Sequence, residues 1–329
     1  MDYSSHIKKI KSHFPELDLL KEVEFNLFRN EEFAISCIET CINLCNNACD
    51  NLDSNLSFGV IYNHTFNASA KVKGNQAVIT FNLGLIEKLD TIISDSINLF
   101  MSENVASMTI DKIQKDELIQ ISYRCCISYL FYHELAHIIQ LFSIKKSDTY
   151  DFQEQYSKEK LFDIKQHIYE FDADLFGSMI SAIELFKKIM DENHQFKPVI
   201  LFNSLTALLF TTANIIIEYS GNMFNEIYYM NNSHPHPFIR IIKCNEQILG
   251  NISKNLNTPK EFFESVLQRS TTMISQILYT DERTLDYEKF YKENSNKIEE
   301  YINEIEEVNK LYKELTRYKS KEFINKFIN

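Results

Sequence analysis

Residues 131–140, FYHELAHIIQ, set His133, Glu134 and His137 inside an otherwise apolar run. Burying such groups without partners costs roughly 2–7 kcal/mol for each neutral polar group, and more for a charge. Something must therefore satisfy all three. On a helix, positions i and i+4 project from one face, so H-E-x-x-H lets two imidazoles grip one Zn²⁺ ion with the glutamate beside it. The flanks SYLFY and IIQLF contain no proline and no charge, as suits a buried helix shielding a metal. Histidines merely packed in a helical core are the plain alternative, and Glu134 between them speaks against it.

A catalytic zinc site takes three protein ligands and keeps a position open. In KQHIYEFDADLFGSMI, residues 165–180, His167, Glu170, Asp174 and Gly177 are spaced by 3, 4 and 3. That spacing lines them up on one face of a second helix, with Ile168, Phe171, Leu175, Phe176 and Met179 left for packing. Glu170 is the expected third ligand. Asp174 is expected to orient a metal-binding histidine by a hydrogen bond. His167 is the rival ligand, imidazole being the commonest protein metal ligand. A third stretch, NNSHPHPFIRI, places His234 and His236 each before a proline, which pushes both backbones extended. An extended pair alternates faces, so one of the two is expected to point at the metal, and a rigid surface loop is the plain reading. Arg240 is the expected partner of Asp174.

These stretches need helices to position them. Six glycines and five prolines in 329 residues are too few for a sandwich, a barrel or a Rossmann-type sheet, all rich in tight turns. The expected class is mainly α (α+β), a small β-sheet flanked by N- and C-terminal helices. The segments LSFGVIYN and QAVITFN have strand composition, and Gly74–Asn75 is a turn signal between segments. Residues 198–217 carry no charge over a length near that of a membrane span. Their asparagines, serine and threonines point to a buried central helix, so no span is expected. Cys37, Cys41, Cys45 and Cys49 form a stripe four apart, read as small-residue packing rather than a thiolate site. Ile298, Ile302, Ile305, Val308, Tyr312 and Leu315 step by three or four, a face for packing or for a partner. A formal charge of −12 argues against nucleic-acid binding, which needs a basic surface. Seven cysteines, and an N-terminus without an apolar signal region, fit a cytoplasmic protein.

HELAH, EFDAD and SHPHPFIR, in that order, resemble the motifs of the zinc-glutamate metallopeptidases (gluzincins) of the CAAX-prenyl-protease and heat-shock-protease group. Upstream, NASAKVKGNQAVITFNLGLIEKL, residues 67–89, looks like the segment whose edge strand lines the substrate cleft in that group. The membrane helices typical of the group are missing, and the doubled HPHP is more similar to the soluble phage-exclusion protease Lit family, whose activity is tied to host defence. The resemblance implies Zn²⁺ held by His133, His137 and Glu170, with a metal-activated water and Glu134 as general base. It also implies an extended substrate held along Val78, Ile79, Thr80, Phe81 and Asn82. His234 is the expected oxyanion donor, with His236 or Tyr132 behind it. The expected organisation is an N-terminal helical segment 1–52, a metallopeptidase core 53–249 and a C-terminal helical extension 250–329. The expected function is zinc-dependent cleavage of a protein substrate, with an activating protein partner sought at the terminal helices. The alternative is a catalytically silent metal-binding regulatory or adaptor protein, for which an intact Glu134 has no use.

Overall fold

The computed structural model describes residues 2–49, 55–103, 112–143, 150–153, 164–191, 198–220, 234–256, 258–280 and 287–311. In chain order these form α1 (Tyr3–His13), a 3₁₀ segment (Glu22–Leu27), α2 (Glu31–Cys49), β1 (Asn55–Ile61), β2 (Ala68–Lys73), β3 (Gln76–Asn82) and α3 (Leu83–Glu103). Then follow α4 (Lys112–Ser143), β4 (Tyr150–Gln153), α5 (Ile164–Asp191), α6 (Pro198–Ser220), α7 (Pro237–Asn255), α8 (Lys260–Thr280) and α9 (Tyr287–Leu311). Helix dominates, as the scarcity of glycine and proline requires. The chain divides into two compact units, Met1–Asp90 with Leu130–Gln155 and Asn309–Asn329, and Thr91–Tyr129 with Tyr156–Val308. These units cut across the sequential segments expected above: α1 and α2 share a unit with the sheet, and α8 and α9 share one with α5, α6 and α7.

The first unit carries a mixed sheet in the order β1-β3-β2-β4. β2 and β3 form a hairpin closed at Gly74, whose φ of 62° lies in the left-handed region that glycine enters without steric cost. β3 pairs parallel with β1, from Asn55 opposite Gln76 to Ile61 opposite Asn82, and antiparallel with β2. Val78, Ile79, Thr80, Phe81 and Asn82 are all buried. Val78 joins the cluster of Ile10, Phe14, Leu17 and Leu19, Phe81 packs edge-on to Phe58, and Thr80 is hydrogen-bonded to Ser69. The expectation that this strand holds substrate at a sheet edge is therefore corrected. β3 is interior, its backbone groups are taken by strands on both sides, and its side chains face packed layers.

The outer edge of β1 is closed by side chains. The backbone N–H of Leu56 donates to Cys49 Sγ (3.4 Å), that of Phe58 to His6 Nδ1 (3.1 Å) and that of Val60 to the Tyr3 hydroxyl (2.9 Å). The N–H of Leu20 donates to the Val60 carbonyl at 2.8 Å. Cys37, Cys41 and Cys45 are buried on the face of α2, and burial pushes the Cys41 and Cys45 thiols well up. The stripe is thus a packing face, as expected. α3 starts directly after β3, where Gly84 donates its N–H to Asn63 O at 2.9 Å. A Cβ at Gly84 would lie 2.1 Å from the His64 carbonyl oxygen, so only glycine permits this approach.

In the second unit α6 is the central helix. It is long and apolar enough to cross a membrane, yet 89% of its most apolar window is buried. Leu201, Leu205 and Leu208 pack with Ile121, Leu185 and Ile248. Two of its polar residues bond within the protein: Thr211 Oγ1 donates to Ala207 O (2.7 Å), and Asn214 Nδ2 donates to Ser96 Oγ (2.8 Å). On α9, Phe290, Ile298, Tyr301 and Ile305 are buried and Ile302 is half-buried. The described part of the C-terminal stripe is therefore turned into the protein rather than towards solvent. The Val308 side chain, Tyr312 and Leu315 lie outside the described residues.

Two outcomes follow from the first unit. Gly84→Ala should cost about 1–3 kcal/mol, as overpacking does, read as a lower midpoint of urea unfolding; an unchanged midpoint would mean that loop 62–65 yields freely. Burial, aided by Lys9 and opposed by Asp2, holds the His6 pKa below its ordinary 6.5, so the unfolded chain takes up this proton at higher pH than the folded one. The stability it contributes is whole above about 6.5 and declines as pH falls from there towards the lowered folded value. The melting temperature should drop between pH 7 and 5 more steeply in wild type than in His6→Gln, whose amide can accept the Phe58 N–H without titrating. Equal slopes would exclude His6 from the acid response.

Candidate metal centre

α4 is buried at every residue from Cys125 to Leu141, so its apolar residues need no amphipathic pattern, and its polar groups there must be satisfied within the protein. The i, i+4 spacing brings the rings of His133 and His137 to 4.8 Å, with their Nε2 atoms 3.1 Å apart. Two bare Nε2 lone pairs at that distance repel unless a proton or a cation lies between them. Gln140, one turn further on, accepts a hydrogen bond from His137 Nδ1 at 2.8 Å. That bond holds the proton on Nδ1 and leaves Nε2 as the metal-facing nitrogen. Gln140 was not among the residues singled out from sequence. Its signal was present: the lone polar side chain in IIQLF, three residues past His137.

From α5, Glu170 brings a buried carboxylate. One ligand atom each of His133, His137 and Glu170 all lie within 4.8 Å of one another. Two imidazoles and a carboxylate are the donor set of a zinc site with three protein ligands, in which neighbouring donor atoms stand about 3.3–3.6 Å apart. By its chemistry this donor set fits the ion. The protein is thus mainly helical with a buried group that could hold a metal ion, consistent with an H-E-x-x-H-type zinc site. His167 stands outside this group: its Nδ1 is hydrogen-bonded with the Tyr301 hydroxyl at 2.5 Å.

The surroundings of Glu170 are charged and buried. His234 Nε2 lies 3.5 Å from Glu170 Oε1, and Arg240 Nη2 lies 3.8 Å from Oε2. Arg240 also grips Asp174 two-pronged, Nε donating to Oδ2 at 2.7 Å and Nη2 to Oδ1 at 2.8 Å, the fork geometry that makes such pairs strong. The expected Arg240–Asp174 pair is therefore present. Tyr129 donates its hydroxyl proton to Asp174 Oδ1 at 2.7 Å. Burial first, then the Asp174 carboxylate, pushes the Tyr129 pKa well up, and Cys244 beside it is pushed up to about 12, so both keep their protons. The hydrogen bond that orients a metal-binding histidine, expected with Asp174, is donated by His137 to Gln140, while Asp174 anchors Arg240.

Pro237 begins α7, and His236 caps it, its Nδ1 accepting from Phe238 N at 3.2 Å. His236 stacks on Phe290 (5.9 Å, 17°), so of the two histidines it is His234 that approaches Glu170. Both are buried, which rules out a surface loop here. Tyr132 is buried with its ring edge-on to Phe131. Val78 to Asn82, placed in the interior strand, drop out as a substrate edge. No family model, curated protein or solved structure matches the chain.

Asp174→Ala strands the Arg240 guanidinium in the interior, which should cost about 3–5 kcal/mol of stability. A denaturation midpoint within experimental error of wild type would show that water replaces the carboxylate without loss.

Proposed function

We propose that this chain is a zinc-dependent endopeptidase of gluzincin type that cleaves a protein substrate. The observation that carries this reading is the buried group His133, His137 and Glu170 with Glu134 next in sequence to the first histidine. A non-catalytic metal site has no use for a buried carboxylate at that position. When bound to these three side chains, zinc supplies a Lewis acid that polarises the scissile carbonyl and acidifies water.

The remaining work falls to the chain. Glu134 takes a proton from the attacking water onto its carboxylate and returns it to the leaving amine. Gln140 keeps the proton of His137 on Nδ1. Arg240 and His234 flank the Glu170 carboxylate, and His234 is the residue to donate a hydrogen bond to the developing oxyanion. The three motifs in their order support a metallopeptidase over other hydrolases, and the doubled His-Pro turn favours a role in bacterial phage defence with a specific protein target.

Elemental analysis of the full chain should find about one zinc per molecule, lost in Glu170→Ala and in His133→Ala, and kept in Glu134→Gln and His167→Ala. Incubation with a proteome-derived peptide library, scored by mass spectrometry for new termini, should show cleavage by wild type and a fall of about 10²–10⁴-fold in Glu134→Gln. Cleavage by Glu134→Gln at the wild-type rate, or wild type that takes up no zinc, would overturn the proposal.

A further inference from the structure

Helix α9 supplies none of the three residues of the metal group, yet it touches both supports of Glu170. Tyr301, fully buried, is hydrogen-bonded with His167, one turn before Glu170 on α5. Its ring also lies 6.1 Å from that of Phe171, the residue that follows Glu170. Phe290, three turns earlier on the same helix, stacks on His236 and lies 4.9 Å from the Phe238 ring. His236 caps α7, and that end of α7 carries the two groups flanking the Glu170 carboxylate, His234 and Arg240.

We propose that α9 is a clamp on the metal site, with Tyr301 acting through His167 and Phe290 acting through His236 as positioning residues for Glu170. This inference rests on the metal-site reading above and adds a non-ligand helix on which zinc affinity depends. Tyr301 sets the rotation of α5 at the turn that aims Glu170. Phe290 sets the height of the His-Pro turn, and hence the distances of His234 and Arg240 from the two carboxylate oxygens. The clamp is held by a narrow stripe. Around Phe290, Ile298, Tyr301 and Ile305 the helix is charged and exposed, as at Lys289 and Glu293. Elements with few buried apolar contacts open at low free energy, so α9 is suited to release its hold without unfolding the rest.

The test uses the full chain and zinc alone, with affinity measured by competition against a chromogenic chelator. Tyr301→Phe keeps the ring and removes the hydroxyl; Phe290→Leu keeps an apolar side chain and removes the stack. Each should weaken zinc binding about 10–100-fold, as changes behind metal ligands do, and each should shift the visible absorption of the cobalt-loaded protein. Val266→Ala, in the apolar cluster of α8, should lower the melting temperature and leave zinc affinity and the cobalt spectrum unchanged. Wild-type affinity and spectrum in both α9 variants would overturn the clamp while the metal site stands, as would an equal loss of affinity in Val266→Ala. Absence of zinc from wild type would overturn the site itself and the clamp with it.

Discussion

The Asp174–Arg240 pair is the constraint from which the geometry around Glu170 follows. Both side chains are within 1% of full burial, where an unpartnered charge would be costly and a forked pair with further hydrogen bonds is tolerated. Tyr129 supplies one of those further bonds. Because Asp174 is one turn from Glu170 on α5, fixing it fixes the carboxylate. Because Arg240 lies in the first turn of α7, the pair also sets where His234 stands. A buried ion pair of this kind contributes little net stability over a well-packed apolar substitute, but it allows one register of α5 against α7.

Much of the site could be read from spacing alone. The i, i+4 histidines and the 3-4-3 stripe of α5 are local signals, because a helix converts sequence separation directly into a shared face. The Arg240–Asp174 pair could be guessed once both motifs were assigned to one site. Tyr129, Tyr301 and Phe290 could not be found this way. Their partners lie 45 to 134 residues away along the chain in the hydrogen bonds of Tyr129 and Tyr301, and an aromatic residue on a helix looks the same in sequence whatever it meets. β3 was misjudged for another reason. Its near-continuous apolar run fits a strand buried on both faces, whereas the edge position came from resemblance to a family. The scarcity of glycine and proline did indicate a helical protein, and the threonines and asparagines of α6 correctly indicated a helix buried in protein.

The combination of a familiar local constellation with a chain that no family model matches has a physical sense. Two imidazoles, a carboxylate and a neighbouring glutamate need only two helices held at the right distance, and many architectures provide that. The support here is particular to this chain: Gln140 behind His137, the Tyr129–Asp174–Arg240 network beside Glu170, and Tyr301 and Phe290 of α9 against His167 and His236.

The closed edge of β1 bears on how the chain reaches this state during synthesis. Tyr3, His6, Leu20 and Cys49, which occupy that edge, all precede β1 and so leave the ribosome before it does. When β1 emerges, its outer row of donors can be claimed at once, leaving only the inner row open. β3, arriving later, then has one side on which to pair, and once it has paired neither row of β1 is left for a neighbouring chain to extend.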